Sequence, residues 1–321
     1  MTRANRKLVT IFGGAGFVGT QLVQAMARKG YRIRVAVRRP DLAGHVQPLG
    51  NVGQIQPIQA NIRNLPSVER AVEGADIVIN LVGIKSETGR QRFRAVHTMG
   101  AKNVAVAAKK AGATTLVHMS ALGADLKAPS VSARSKALGE QEVLKAFPQA
   151  TILRPSIIFG QGDGFFNLFG TLARLMPVLP LIEGKTKFQP IYVGDVADAL
   201  AIAAEGGVKP GTIYELGGAE IETMRELMQR LLREAGRERL LIPLPTGLVK
   251  LKAFFLQLLP NPWFTVDQVV QLGEDNVVSD GARKQKRTLA AFGVTPTSMD
   301  AILPTYLWRF RKHGQFDKVE A

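Results

Sequence analysis

Through the first half of the chain, short β-branched apolar runs alternate with segments whose apolar positions recur at helical spacing. The runs are Leu8–Phe12, Arg32–Val37, Ile55–Gln59, Ile77–Leu81, Thr115–Ser120 and Thr151–Arg154. Between them, Gly19–Lys29, Ser67–Val72, Ala95–Ala111 and Ser135–Phe147 carry helical spacing and good helix formers. Such alternation predicts a parallel sheet covered by helices on both faces, and six strands with right-handed crossovers make it doubly wound. Past Pro155 the regularity loosens. Helices are predicted at Phe165–Leu175, Val193–Ala204, Thr223–Ala235 and Leu248–Leu259, and Gly211–Leu216 reads as a strand returning to the sheet; Pro177 to Pro190 reads as irregular. The fold class is α/β, with a smaller, interleaved, mainly helical C-terminal lobe. Residues 1–160, with 187–217 returning to them, form the sheet domain; 161–186 and 218–321 form the lobe.

Composition narrows the chemistry. The chain has 321 residues, enough for about two domains. It has no Cys, which excludes disulfides, thiolate metal sites and Cys nucleophiles, and His45, His97, His118 and His313 make no metal-ligand spacing. No metal site is expected. The net charge of +16 is uneven: residues 1–160 carry 23 Lys and Arg against 8 acids, and the remainder is nearly balanced. The first lobe should therefore project a positive field toward an anionic partner. A phosphorylated cofactor, anionic lipid headgroups or an acidic protein surface would each suit it. Nucleic acid is disfavoured, because the charges are dispersed and no recognition motif accompanies them. The basic start Met1–Lys7 and short apolar run Leu8–Phe12 make no secretory signal, and the first strand begins too early for a transit peptide. The expectation is a cytoplasmic protein.

The first strand leads into Gly13-Gly14-Ala15-Gly16-Phe17-Val18-Gly19. A glycine turn opening a helix lets backbone approach a pyrophosphate, whose charge sits on the helix N-terminus. This context makes the sheet domain a Rossmann-type dinucleotide site. The second strand ends in Val37-Arg38-Arg39, with no acid before Asp41. Arginine here accommodates the 2′-phosphate of NADPH, where an NAD site carries an acid for the ribose hydroxyl. After the third strand comes Ala60-Asn61-Ile62-Arg63-Asn64.

The spacing GxxGxxG resembles the extended short-chain dehydrogenase/reductases, the NAD-dependent epimerase/dehydratase group. The likeness continues through Asn80-Leu81-Val82-Gly83, Ser120, Lys136, Arg154-Pro155 and Ile191-Tyr192-Val193-Gly194-Asp195. It implies cofactor contacts from Gly13, Gly16, Phe17, Val18, Gly19, Arg38, Arg39, Asn61, Ile62, Leu81, Val82, Gly83, Ser120, Lys136 and Pro155. It also implies that Asn61 and Ile62 lie near the adenine, whose amine the Asn61 carbonyl oxygen could accept from. Enzymes of this group use Tyr-x-x-x-Lys, with Tyr as proton donor. Here Ser132 occupies the Tyr position ahead of Lys136. An aliphatic hydroxyl is far less acidic than a phenol near pKa ~10, so it makes a poor general acid. Ser120, Ser132 and Lys136 thus hold the family positions without a complete catalytic set. Tyr192 is a remote substitute, and His118 reads as a packed core histidine.

Further stretches resemble one branch of the group, the NAD(P)H-binding accessory subunits of respiratory complex I. They are Phe159-Gly160, Asp163-Gly164-Phe165-Phe166-Asn167, Gln189-Pro190-Ile191-Tyr192-Val193, Thr265-Val266-Asp267-Gln268 and Asp275-Asn276-Val277-Val278. That likeness implies a tightly held NADPH with a structural or redox-sensing role. It also implies docking on the peripheral arm of complex I near the membrane; with no transit peptide expected, the side is the cytoplasmic face of a bacterial inner membrane. The Leu248–Leu259 helix, with Lys250, Lys252 and nearby Trp263, could touch anionic lipid, a partner or its own core. An active NADP-dependent reductase or epimerase, acting on a nucleotide-sugar, isoprenoid or quinone-related substrate, is the alternative. A regulator reporting the NADPH/NADP ratio is a third reading.

Overall fold

The computed structural model describes residues 7–257 and 265–316. The basic residues up to Arg6, the last two residues of the predicted Leu248–Leu259 helix and Asn261–Phe264 lie outside them. By contact density the chain divides into two units. The first comprises 1–155, 194–216 and 280–294; the second comprises 156–193, 217–279 and 295–321.

The first unit is built on a parallel sheet. Its strands are β1 (Leu8–Phe12), β2 (Arg32–Val37), β3 (Ile55–Gln59), β4 (Ile77–Asn80), β5 (Thr115–Met119) and β6 (Thr151–Pro155), with Ile213–Leu216 as a seventh. The spatial order runs from Ile213–Leu216 through β6, β5, β4, β1 and β2 to β3. The chain therefore reverses direction across the sheet at β1, which pairs with both β2 and β4. In such sheets ligands bind outside the carboxyl ends of the strands at this switch point. β1 can occupy the centre because Val9, Thr10, Ile11 and Phe12 are all fully buried. The one polar side chain among them, Thr10, donates its hydroxyl to the Ala71 carbonyl.

The helices of this unit include α1 (Phe17–Arg28), α2 (Leu65–Val72), α3 (Ala101–Lys110) and α4 (Val131–Ala146), and the predicted helix Val193–Ala204 also belongs to it from Gly194 on. α4 starts four residues earlier than its apolar spacing predicts, because the Ser130 hydroxyl caps it by accepting from Ala133 N–H. The segment read as one helix, Ala95–Ala111, begins as a π-helical stretch at Arg94–Gly100 before becoming α3. One core packs Phe12, Val68, Val78, Val104, Leu116 and Val143.

Two returns to this unit differ from the sequence reading. Residues 156–160, 187–193 and 217, expected in the sheet domain, belong to the second unit, where Ile191–Tyr192 pairs with Ile158–Phe159. Residues 280–294 join the first unit instead of the lobe: Glu215 N–H donates to the Arg287 carbonyl, and the Arg287 guanidinium donates to the Ile213 carbonyl. These are backbone-directed bonds, which apolar spacing does not encode.

The second unit packs helices Phe166–Leu175, Met224–Glu234 and Met299–Leu307 around Phe159, Phe166, Leu227, Leu231 and Leu303. The stretch expected to be irregular contains a strand, Val178–Leu181, paired with Leu240–Pro243. Its Pro180 is tolerated because a two-stranded pair leaves its outer edge free of ladder bonds. Among the chemistry-bearing motifs, Asp275-Asn276 is a structural clip. Asp275 accepts from Lys187 N–H, and Asn276 Oδ1 accepts from the Ser156 hydroxyl and Ile157 N–H. Asp163 caps the Phe166 helix and accepts a 2.6 Å bond from the Tyr306 hydroxyl. Tyr306 and Phe310 are buried in their own core. The Thr246–Leu256 helix buries Val249 and Ala253 against Val269, while Leu248, Leu251 and Phe254 are exposed.

Candidate functional site

At the carboxyl ends of β1 to β4 lies a cavity of about 430 Å³. Gly13, Ala15 and Gly16 form its floor, and β2 contributes Ala36 and Val37 and, beyond its end, Arg38 and Arg39. Ala60, Asn61, Ile62 and Arg63 line the segment after β3, and Leu81, Val82, Gly83 and Ile84 the segment after β4. All belong to the first unit.

The glycines divide the work. Gly13 has φ +80°, which a side chain rarely adopts. Its carbonyl accepts from Gly16 N–H at 3.0 Å, closing the turn. Gly16 precedes α1 with extended backbone, is solvent-exposed, and would leave a Cβ 3.3 Å from Gly13 O. Gly19 is buried, and a Cβ there would fall 2.3 Å from Gly13 O and 2.6 Å from Gly14 Cα. It permits close packing of helix on turn.

Arg38 and Arg39 are exposed at the rim, and Arg39 is bonded to Asp41, Nη2 to Oδ2 at 2.7 Å. Asn61 spends its carbonyl oxygen locally, accepting from Arg63 N–H at 3.1 Å and from Arg63 Nε. This Asx turn holds Arg63, a lining residue of the cavity, and Arg63 Nη1 also donates to the Arg90 carbonyl. Arg63, Ile84, Gln91 and Val96 are lining residues that the motifs did not mark. The signal for Arg63 was its place two residues after Asn61.

The remaining expected contacts lie outside this lining. Val18 is buried inside α1, and Phe17 is half-buried at its start. Ser120 follows β5, and its buried hydroxyl has no hydrogen-bond partner. Pro155 ends β6 and accepts from Leu122 N–H. Ser132 and Lys136 are on α4, Ser132 buried and Lys136 half-buried. Tyr192 is in the second unit, its ring 5.9 Å from that of Phe159. His118 is a core residue, as read: burial and then the Lys136 charge push its pKa down to about 4, so it is neutral.

These residues fit a dinucleotide. The cradle at Gly13 and Gly16 is open to a pyrophosphate, whereas side chains there would fill it. The guanidiniums at the rim and wall supply counter-charge. Among the described residues, no cluster of His, Asp or Glu could hold a metal.

Comparison with known proteins agrees with this geometry. The family model "NAD dependent epimerase/dehydratase family" matches residues 9–217. The mitochondrial NADH dehydrogenase [ubiquinone] 1 alpha subcomplex subunit 9 of Arabidopsis thaliana is 34% identical over 320 residues, covering 96% of this chain and 79% of that protein. A ceramide reductase of Caulobacter vibrioides is 33% identical over 250 residues, covering 75% of this chain and 74% of that protein. Among solved structures, an NADPH-dependent quinone oxidoreductase from Escherichia coli complexed with NADPH shares the fold. Its TM-score is 0.72 at 20% identity, over 93% of this chain and 98% of that one. Sheet order, glycine turn and matched segment converge: the chain belongs to the NAD dependent epimerase/dehydratase family, in the same group as the alpha subcomplex subunit 9 proteins.

Proposed function

We propose that the chain is an NADPH-binding accessory subunit of respiratory complex I that holds its nucleotide for structure or redox sensing and performs no turnover. The observation that carries the reading is the cavity fit for a dinucleotide; the reading adds that Ser132 holds the family's catalytic Tyr position. Bound NADPH would supply a hydride donor. Reduction of a carbonyl also needs a proton donor, and an aliphatic hydroxyl at residue 132 is too weak an acid for that. Lys136 would retain a binding task, donating to the nicotinamide ribose. Arg38 and Arg39 would pair the 2′-phosphate, which favours NADPH over NADH.

The subunit 9 relatives support the assembly, since their likeness runs nearly the whole chain, second unit included. In this reading the protein docks peripherally on the cytoplasmic side of a bacterial inner membrane. Among the described residues no helix is long and apolar enough to cross a membrane. The exposed Leu248, Leu251 and Phe254 could rest on anionic lipid.

A second reading, an active NADP-dependent reductase, draws on the ceramide reductase likeness and on the buried, unpartnered Ser120 hydroxyl. Ser132→Ala separates the two. A scaffold keeps its NADPH and the activity of its assembly, whereas Lys136→Ala loosens the nucleotide. Loss of an NADPH-dependent turnover in Ser132→Ala, with nucleotide still bound, would make Ser132 catalytic and end the scaffold reading.

A further inference from the structure

The wall Leu81–Ile84 leaves β4 as irregular backbone, yet its amides are anchored from two directions. On one side, Val82 N–H donates to Asn80 Oδ1 at 3.1 Å. That bond fixes which way the Asn80 amide faces, so its Nδ2 is the group 3.2 Å from His118 Nδ1. His118 Nδ1 therefore accepts, and the ring proton is on Nε2. On the other side, Ile84 N–H donates to His97 Nε2 at 3.0 Å. The opposite nitrogen of His97, Nδ1, is 2.9 Å from the Ser135 hydroxyl, which itself donates to the Ser132 carbonyl at 2.7 Å. Since the Ser135 proton is committed, His97 Nδ1 donates and the ring carries its proton there.

We propose that His97 and His118 are positioning residues, neutral and of opposite tautomer, that hold the Leu81–Ile84 wall against α4 and β5 and so set the dinucleotide cavity. The proposal rests on the reading of that cavity as a nucleotide site. His97 suits the task because its two nitrogens bond in opposite directions, one to the wall and one to α4. Its backbone is held as well. His97 belongs to the π-helical stretch, its ring stacks on Phe93 at 5.3 Å, and Thr98 donates to the Ser135 carbonyl at 2.9 Å. Gly139 of α4 lies so close that a Cβ would sit 2.1 Å from the His97 carbonyl. Movement of the wall is therefore coupled to the helix carrying Ser132 and Lys136.

The test uses the full chain labelled with ¹⁵N, whose histidine spectra report tautomers directly. At neutral pH the expected pattern is His97 protonated on Nδ1 and His118 on Nε2. A charged imidazole or the reverse tautomer at either position overturns the brace, whether or not nucleotide binds. With NADPH loaded, His97→Ala should release it about tenfold faster, the effect of losing the bond that anchors the wall amide of Ile84. His97→Gln, which can accept from Ile84 and donate to Ser135, should restore most of the retention. Release from His97→Ala at the wild-type rate refutes positioning. A wild-type chain that binds no NADPH refutes the nucleotide reading, while the tautomers still decide the brace.

Discussion

Two glycines of the turn sequence, Gly16 and Gly19, should fail in opposite ways when each becomes Ala. In Gly19→Ala, the new Cβ meets backbone on the other side of the turn, 2.3 Å from Gly13 O and 2.6 Å from Gly14 C. Neither neighbour is a flexible side-chain end, so α1 or the turn must shift. Replacing Gly by Ala inside a helix ordinarily stabilises by about 1 kcal/mol. Overpacking opposes it with about 1–3 kcal/mol, and a contact this short belongs at the upper end. The net loss should be roughly 1–2 kcal/mol, visible as a lower urea midpoint with unchanged slope. In Gly16→Ala the backbone is already extended, at φ −85° and ψ −179°, and the nearest atom to the Cβ is 3.3 Å away. Stability should move by less than about 0.5 kcal/mol. The methyl, however, projects where a pyrophosphate must approach the α1 N-terminus, so NADPH affinity should fall at least about tenfold. Urea titration and calorimetry on both variants check this. Gly19→Ala with the wild-type midpoint, or Gly16→Ala with wild-type affinity, would refute the assigned roles.

Two other perturbations address charge. Replacing Arg38 and Arg39 together by Ala should weaken NADPH roughly tenfold or more per lost charged contact while sparing NADH; calorimetry showing equal losses would remove the 2′-phosphate assignment. Burial holds the His118 pKa near 4, below its ordinary 6.5. Its contribution to stability is therefore complete above about pH 6.5 and lost as pH falls toward 4, by about 3 kcal/mol in all. His118→Asn should flatten that part of the urea midpoint profile, and a variant with the wild-type slope would show that another group titrates.

The centre of the sheet was legible because its strands are buried on both faces, so that Leu8–Phe12 or Ile77–Asn80 read as apolar runs whatever surrounds them. The glycine turn was legible because backbone geometry restricts residue choice there. Illegible features share a different cause: they are made by hydrogen bonds between distant segments. Arg287 returns residues 280–294 to the sheet through carbonyls. Asn276 clips Ser156 and Ile157 across the second unit. The π-helical turn at Arg94–Gly100 keeps helix-like apolar spacing, so nothing in the pattern announces it, and His97 within it looks like an ordinary core residue. Asn61 was read as an adenine contact from the family resemblance, yet its oxygen serves the turn that holds Arg63.

The central claim, an NADPH-holding subunit without turnover, is tested most directly on the native assembly. The chain would be captured from gently solubilised membranes of its own cell, the native mass of the particle measured, and its nucleotide extracted and identified. The account predicts a particle of complex I size carrying about one NADPH per copy of this chain. A free chain of 34.8 kDa that turns NADPH over on a carbonyl substrate would contradict it.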